Sequence, residues 1–319
     1  MKRAMLSVRN LKTYFFTSTG IVRANDSVNL DINRGEAVGL VGESGCGKSC
    51  LALSIMGLVP LPGKTIDGQI FYKHKELLSL RENEMRQVRG KEIAMIFQDP
   101  FTFLNPLMKV GDQIAENILI HKKTQKSRLI GEVYDLLKKV RMPTPERVAT
   151  FYPHELSGGM RQRVIAAMAI ASSPALLIAD EPTTALDVTI QRQILHLITQ
   201  LKDELGLSLL LITHDLGIVA ETCDRLYIMY AGKIVESGNI FTIFEKPKHP
   251  YTIGLLNSAL SIERYQKELV GIDGAVPNLI NPPDGCRFHP RCKNTKPICS
   301  VKEPSMVELE EMHWVSCHL

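Results

Sequence analysis

Apolar and polar residues alternate near the start of the chain. One alternating run contains Leu6, Val8 and Leu11, and a second contains Val28, Leu30 and Ile32. A period of two predicts strands that bury one face. The turn-forming residues Asn25-Asp26 and Asn33-Arg34-Gly35 predict turns between and after these strands. The sequence therefore predicts a small sheet, whose core would account for the aromatic cluster Tyr14-Phe15-Phe16 unless that cluster contacts a ligand.

Continuous apolar runs follow, and runs of this length predict fully buried strands. They comprise residues 37–41, 93–97, 175–179 and 207–212, with a shorter strand at 68–72. Helical segments lie between them, at residues 51–56, 77–89 and, with clear amphipathic spacing, 190–205. Buried strands that alternate with helices predict an α/β domain.

The pattern is helical from about residue 100 to residue 160. Residues 110–120 and 130–140 place apolar side chains three and four positions apart, and Pro143 and Pro145 end the second run. We interpret this region as a helical insert in the α/β domain.

The composition mainly argues against certain classes of protein. The 319 residues are 45% hydrophobic and 23% charged, as in ordinary globular proteins. A net charge of +4 is too small to favour nucleic acid as a partner. The longest mostly apolar stretch, residues 164–179, is broken by Ser172-Ser173-Pro174, and no apolar core of a signal peptide follows Lys2 and Arg3. We expect a cytosolic protein that would serve a membrane only from its surface.

The main candidate for chemistry is the loop Gly42-Glu43-Ser44-Gly45-Cys46-Gly47-Lys48-Ser49. It lies between a predicted strand and a predicted helix, which is the arrangement of a phosphate-binding loop. Its glycines let backbone N–H groups point at an anion, and the helix N-terminus adds a partial positive charge. Lys48 would reach the β- and γ-phosphates of a nucleotide, while the Ser49 hydroxyl would bind Mg²⁺.

Polar residues that end the other buried strands are candidates for the same chemistry. Gln98, Asp180 and His214 each follow one of these strands, and Glu181 comes directly after Asp180. The carboxyl ends of parallel strands meet at one edge of a sheet, where ligands bind. We expect Asp180 to hold Mg²⁺ through its water shell and Glu181 to polarise the attacking water.

A second anion-binding helix start is predicted at Leu156-Ser157-Gly158-Gly159-Met160. Ser157 is a suitable N-cap, and the two glycines permit close approach by a ligand. Because one domain rarely needs two such sites for one nucleotide, we expect this one to serve a nucleotide held by another subunit.

Taken in order, the motifs GESGCGKS, LSGGMRQR, LLIADEP and TALD, with Gln98 and His214, resemble the ATP-binding cassette of ABC transporters across residues 1 to about 240. Residues 97–106, 231–238, 246–256 and 282–292 narrow the resemblance to the ATPase subunit of oligopeptide and dipeptide importers. The resemblance implies a P-loop NTPase fold with a RecA-like core, an N-terminal antiparallel β subdomain and a helical subdomain at about 100–160. It also implies a small irregular C-terminal domain at 241–319.

The resemblance also implies roles for individual residues. Phe15 falls where an aromatic side chain stacks on adenine, and residues 42–49 together with Cys50 surround the phosphates. Mg²⁺ would be bound by Ser49, Gln98 and Asp180. Glu181 would be the general base and His214 would contact the γ-phosphate. Ser157, Gly158 and Gly159 would meet the nucleotide of an opposing cassette, and Asp187 would support the dimer seam.

The implied function is ATP hydrolysis that drives uptake of peptides across the cytoplasmic membrane. The expected partners are a second homologous ATPase subunit, two transmembrane permease subunits and an extracytoplasmic solute-binding protein. Contact with the membrane would be made only through the permeases, at its cytoplasmic face, with the loop after Gln98 receiving a permease helix. Uptake of nickel complexes or oligosaccharides remains an alternative, as does a soluble ATPase without a transport role.

Four of the seven cysteines lie near the C-terminus: Cys286, Cys292, Cys299 and Cys317. Their surroundings have little periodic apolar sequence, so a metal or cluster would supply a constraint that core burial does not. Four thiolates suit either Zn²⁺ or a [4Fe–4S] cluster, although the paired C-x2-C spacing of many zinc sites is absent. The resemblance implies the [4Fe–4S] cluster. Zinc and unligated thiols remain alternatives, and His289, His313 or His318 could replace one ligand.

Overall fold

A computed structural model describes residues 4–98, 103–122, 124–183, 186–263 and 271–319, with the side chains of residues 259–263 left out. The strands in this part of the chain are β1 (Leu6–Thr17), β2 (Gly20–Ile32), β3 (Ala37–Val41), β4 (Gly63–Tyr72), β5 (Lys75–Glu76), β6 (Ile93–Ile96), β7 (Leu176–Asp180), β8 (Ser208–Thr213), β9 (Arg225–Tyr230), β10 (Lys233–Asn239), β11 (Val307–Glu310) and β12 (His313–Val315).

The helices are α1 (Lys48–Met56), α2 (Glu82–Val88), α3 (Val110–His121), α4 (Lys126–Lys139), α5 (Pro145–Val148), α6 (Gly158–Ile170), α7 (Val188–Leu205), α8 (Leu216–Thr222), α9 (Ile240–Glu245) and α10 (Pro250–Glu263). Short 3₁₀ turns occur at Leu77–Ser79, Pro153–Glu155, His289–Arg291 and Pro297–Ser300. None of the helices that the structure describes has both the length and the apolar content that crossing a bilayer requires.

The chain forms two compact units, of which the first contains residues 1–79 and 211–319. One of its sheets has the order β2-β1-β4-β5, with β1 antiparallel to both β2 and β4. The other contains β11, β12, β10, β9 and β3 in that order, with β3 and β9 parallel. All five residues of β3 are buried, as its continuous apolar sequence predicts.

The first two strands confirm the alternating pattern but correct one predicted turn. Strand β2 continues through Asn25-Asp26, and the chain reverses earlier, at Ser18-Thr19. The polar groups of Asp26 form tertiary contacts instead. The Asp26 N–H donates to the Gly232 carbonyl at 2.9 Å, and its carboxylate accepts from the Tyr14 hydroxyl at 2.9 Å. The prediction of a turn at Asn25-Asp26 was therefore wrong.

The C-terminal residues are also more regular than their sequence suggests. Strands β11 and β12 form a hairpin, and β12 pairs antiparallel with β10, placing Val315 opposite Glu236. A segment with little periodic apolar sequence thus gains order by adding strands to an existing sheet.

The second unit contains residues 80–210. Its strands β6 and β7 run parallel, with Ile93 opposite Leu176, and both are buried along their length. Helices α3 and α4 occupy the region where a helical insert is predicted, and α4 buries Val133, Leu136 and Leu137. Strand β8 crosses the division, since residues 208–210 belong to this unit and 211–213 to the first.

Candidate functional site

The loop between β3 and α1 packs so closely that two of its glycines have no room for a side chain. A Cβ atom on Gly42 would lie 2.1 Å from the carbonyl oxygen of Met229, and one on Gly47 would lie 2.1 Å from that of Ala24. Gly47 also has a φ of 110°, in a region that favours glycine. The sequence G-x-x-x-x-G therefore seats the loop against β9 and β2.

Lys48 begins α1 and is almost fully buried, with 5% of its surface exposed. Its Nζ donates to the carbonyl oxygens of Gly42 at 2.8 Å and Glu43 at 3.1 Å, so the ammonium group lies inside the curl of the loop. Desolvation raises the pKa of the Cys46 thiol beside it, and raises that of Cys50 to about 11. Both cysteines are therefore neutral at physiological pH, and Lys48 supplies the positive charge of the loop.

Glu43 connects the phosphate loop to the C-terminal residues, a contact that sequence reasoning missed. Its two carboxylate oxygens accept hydrogen bonds from Arg291, at 2.7 and 3.0 Å. Its backbone N–H donates to the Tyr251 hydroxyl at 2.9 Å. The carboxylate raises the pKa of Arg291, which keeps the guanidinium charged. Because 248 residues separate Glu43 from Arg291, no local pattern could have revealed the pair.

Phe15 lies in β1 opposite Val22 and is half-buried. A Cβ atom on Gly63 would lie 2.6 Å from its ring, so glycine at that position makes room for the aromatic side chain. Phe16, the next residue, is 47% exposed. Packing in the sheet accounts for part of the Phe15 surface, and the prediction that this residue stacks on adenine stays a prediction.

Within the second unit, Gln98 and Glu181 come together at the ends of β6 and β7. Gln98 Nε2 donates to Glu181 Oε2 at 3.2 Å. Glu181 has a φ of 42°, a left-handed conformation that costs a non-glycine residue about 1 kcal/mol or more. Asp180, the last residue of β7, is 4% exposed. The strand thus presents two consecutive carboxylates in different environments, one buried and one directed by an amide.

The predicted cap at the start of α6 is confirmed. The Ser157 side chain accepts a hydrogen bond from Met160 N at 3.4 Å. Gly159 has a second reason to lack a side chain, because its Cβ would lie 2.7 Å from the Ile190 side chain. Asp187 caps α7 by accepting from Ile190 N at 2.9 Å. The helix starts of α6 and α7 therefore pack together through a glycine.

The candidate residues are divided between the two units. His214 follows β8 in the first unit, as does the phosphate loop, and its side chain is exposed. Gln98, Asp180, Glu181, Asp187 and residues 157–159 belong to the second unit. Residues 99–102 of the predicted permease-facing loop, and residues 184–185 of the TALD motif, lie outside the described residues.

The four C-terminal cysteines all carry free thiols. Burial, together with negative charge on Cys317, Cys299 and Cys292, raises the pKa of Cys286 to about 11. Burial also raises the pKa of Cys292 and Cys317. Backbone N–H groups of Phe288, Asn294 and Leu319 offset part of the rise at Cys286, Cys292 and Cys317 respectively, since N–H donors stabilise a thiolate.

The nearby histidines bond within the chain. Nδ1 of His289 donates to Cys286 O, Nε2 of His313 to Glu236, and Nε2 of His318 to Lys302 O. In the described part of the chain, no three or more His, Cys, Asp or Glu side chains are arranged to hold a metal ion. The predicted cluster is therefore not supported by this arrangement of side chains, and it stays a prediction.

Comparison with known proteins identifies the family. Residues 25–184 match the family described as ABC transporter, and residues 235–299 match the oligopeptide/dipeptide transporter C-terminal region. The chain is 50% identical to a probable peptide ABC transporter ATP-binding protein of Sinorhizobium fredii, over 98% of this chain and 94% of that protein. It is 48% identical to the dipeptide transport ATP-binding protein DppD of Bacillus subtilis, over 99% and 94%.

A comparison with solved structures supports the same family. The dimeric post-hydrolysis state of the ATP-binding cassette MJ0796, bound to ADP and Pi, matches with a TM-score of 0.67 and 27% identity, covering 74% of this chain and 99% of that one. The α/β cassette fold expected from the motifs is therefore confirmed. The chain belongs to the ABC transporter family and carries the C-terminal region of its oligopeptide/dipeptide transporters.

Proposed function

We propose that this protein binds and hydrolyses ATP to energise the import of dipeptides or oligopeptides across the cytoplasmic membrane. The observation that carries the proposal is the phosphate loop, in which a buried Lys48 lies inside a curl of backbone closed by Gly42 and Gly47. The full-length similarity to peptide transport ATP-binding proteins supports peptides as the solute. The cassette would comprise residues 1–240 and the extension residues 241–319.

The proposed chemistry assigns each group one task. Lys48 and the loop N–H groups bind the phosphates, and Phe15 stacks on adenine. Ser49, Gln98 and Asp180 offer hydroxyl, amide and carboxylate oxygens, which are the donors that Mg²⁺ prefers. When bound, Mg²⁺ would neutralise charge on the β- and γ-phosphates. Glu181 accepts the proton of the attacking water, with Gln98 orienting its carboxylate. His214 contacts the γ-phosphate.

The working unit would be a pair of cassettes. Residues 157–159 begin α6 with N–H groups at an exposed helix start, which suits an anion from outside the chain. We assign that anion to the γ-phosphate of a nucleotide on a second homologous ATPase subunit, with Asp187 supporting the seam. The MJ0796 cassette supports this pairing, since its structure is a dimer bound to ADP and Pi. Two permease subunits at the cytoplasmic face and an extracytoplasmic solute-binding protein would complete the importer.

Substitution of the base tests the proposal. Glu181→Gln should lower ATP turnover by roughly 10²- to 10⁴-fold, since proton abstraction by a positioned base contributes about that much. Binding of Mg²⁺–ATP should persist, because the phosphate loop is unchanged. Glu204→Gln, at an exposed carboxylate near the end of α7, is the matched control and should keep turnover within about twofold. Full turnover by the Glu181 variant would refute the assignment.

We also propose that Cys286, Cys292, Cys299 and Cys317 ligate a [4Fe–4S] cluster, with Zn²⁺ as the other candidate. The mutual effect of their charges indicates that the four sulfur atoms lie near one another, which supports a shared ligand. Binding of a metal would release the protons that burial otherwise favours on these thiols. Iron, sulfide and zinc analysis of anaerobically purified protein separates the two metals. Protein that contains neither metal would leave the thiols without a ligand role.

A further inference from the structure

The seven residues Cys286–Cys292, here the CRFHPRC segment, link the C-terminal extension to the phosphate loop. The side chains of its two arginines contact residues of the first unit that come earlier in the sequence. Arg287 donates to the Asp26 carboxylate in β2 and to the Ala231 carbonyl, while Arg291 donates to Glu43 in the phosphate loop. Both side chains are almost fully buried, at 6% and 5% exposure. A buried guanidinium is stable only when paired, so these contacts are specific features of the fold.

The pair formed by Arg291 and Glu43 is bidentate. Nη1 donates to Oε2 at 2.7 Å and Nη2 donates to Oε1 at 3.0 Å, so two parallel bonds fix the orientation of the carboxylate as well as its position. Arg291 is held from its other side too, with Nε donating to Asp273 O at 2.8 Å and Nη2 to Ile272 O at 3.2 Å. Rotation of the guanidinium would break several hydrogen bonds together.

Aromatic side chains complete the setting of this pair. The rings of Tyr230 and Phe288 meet edge to face with centroids 5.1 Å apart, and Tyr251 lies 4.6 Å from Tyr230. The guanidinium of Arg291 lies 5.8 Å from the centroid of the Tyr230 ring and 6.0 Å from that of Phe288. Tyr251 accepts the backbone N–H of Glu43. Glu43 is thus held through its main chain by α10 and through its side chain by the CRFHPRC segment.

This geometry matters because Glu43 places a negative charge in a loop that receives a triphosphate. An unpaired carboxylate there would repel the phosphates, because the dielectric constant near a protein is lower than that of water and screens the repulsion only in part. We propose that Arg291 is a positioning residue for nucleotide binding, which neutralises Glu43 and holds the phosphate loop in the conformation that accepts ATP. The inference rests on the proposed function, and it makes the C-terminal extension a determinant of nucleotide affinity.

A double-mutant cycle on the full-length chain tests this inference, with a fluorescent ATP analogue and Mg²⁺ as the probe. Arg291→Met should weaken binding about tenfold, because it leaves the Glu43 carboxylate without its positively charged partner. Adding Glu43→Gln to that variant should recover most of the loss, since no charge remains to be neutralised. In ATPase assays, Arg291→Met should raise KM with kcat changed less than twofold, as expected for a defect in phosphate binding.

Two further variants keep the test decisive. Arg291→Lys retains the charge but cannot form two parallel bonds, so it should bind about threefold more weakly than the unsubstituted chain, even if Arg291→Met fails to fold. Lys293→Met removes a nearby charge that is 77% exposed and should change affinity less than twofold.

The outcomes separate this inference from the proposed function. Equal affinity in the unsubstituted chain, Arg291→Met and Arg291→Lys would overturn the inference, as would a loss that Glu43→Gln does not relieve. Absence of nucleotide binding in the unsubstituted chain would instead overturn the proposed function.

Discussion

Glu236 provides the sharpest test of how the C-terminal extension is attached. This residue of β10 is fully buried, as is its partner His313 in β12. Its Oε1 accepts hydrogen bonds from Lys248 N at 2.8 Å and from His313 Nε2 at 2.8 Å, and its Oε2 accepts from His249 N at 2.9 Å. One carboxylate therefore satisfies three donors from two separate parts of the extension.

Glu236→Gln keeps the shape of the side chain but turns one acceptor into a donor. With the amide oxygen toward Lys248 and His313, the new NH₂ group faces the N–H of His249. Two buried donors then lack acceptors, at roughly 1–3 kcal/mol each. We expect the free energy of local opening to fall by about 3 kcal/mol, which corresponds to roughly hundredfold faster hydrogen exchange.

Hydrogen exchange followed by mass spectrometry measures this effect directly. Peptides that cover residues 246–252 and 312–316 should lose protection together, because one carboxylate serves both. Glu310→Gln, at an exposed carboxylate in β11, is the matched control and should change exchange less than about threefold. If the Glu236 variant retained its protection within that limit, the three hydrogen bonds would not be what holds the extension.

Three further predictions concern protonation, packing and capping. Burial lowers the pKa of His249 from 6.5 to about 4. As the pH falls, His249 is therefore protonated in the unfolded chain before it is protonated in the folded one, so stability falls as the pH drops below about 6.5. Between pH 7.5 and 5.5 the loss should be about 1 kcal/mol in denaturant titrations, and His249→Asn should flatten the profile. Gly42→Ala should weaken ATP binding more than about tenfold, because the new methyl group would lie 2.1 Å from a backbone carbonyl, whereas Gly131→Ala, with nothing within 4 Å, should leave binding unchanged. Asp187→Ala should lower the free energy of unfolding by about 1 kcal/mol, measured by denaturant titration, through loss of the α7 cap.

The elements best predicted from sequence are those whose signal is local. The apolar runs at residues 37–41, 93–97 and 175–179 became β3, β6 and β7, because burial on both faces leaves little room for polar residues. The Ser157 cap was predicted correctly for the same reason, since a cap depends on only a few neighbouring residues.

Predictions from sequence failed where a contact between residues far apart in the chain decides the local structure. Asn25-Asp26 has turn chemistry, yet Arg287 and Tyr14 use the Asp26 carboxylate and the strand continues. The β11–β12 hairpin gave no clear signal, because β11 is exposed along its length and β12 has only three residues. The hairpin is ordered by the pairing of β12 with β10. The bond between Arg291 and Glu43 is of the same kind. Long-range pairs of charges leave no periodicity in the sequence.

The contacts of the extension bear on how far the cassette is a unit by itself. Strand β10 lies within the proposed cassette, but in the part of the chain that the structure describes, the donors to the Glu236 carboxylate are Lys248, His249 and His313, which all belong to the extension. A chain cut after residue 240 would leave that charge without hydrogen bonds, and breaking a buried pair costs about 3–5 kcal/mol. It would also leave the carboxylates of Asp26 and Glu43 without Arg287 and Arg291. Since a whole domain is stable by only about 5–15 kcal/mol, residues 241–319 are part of what stabilises the phosphate loop.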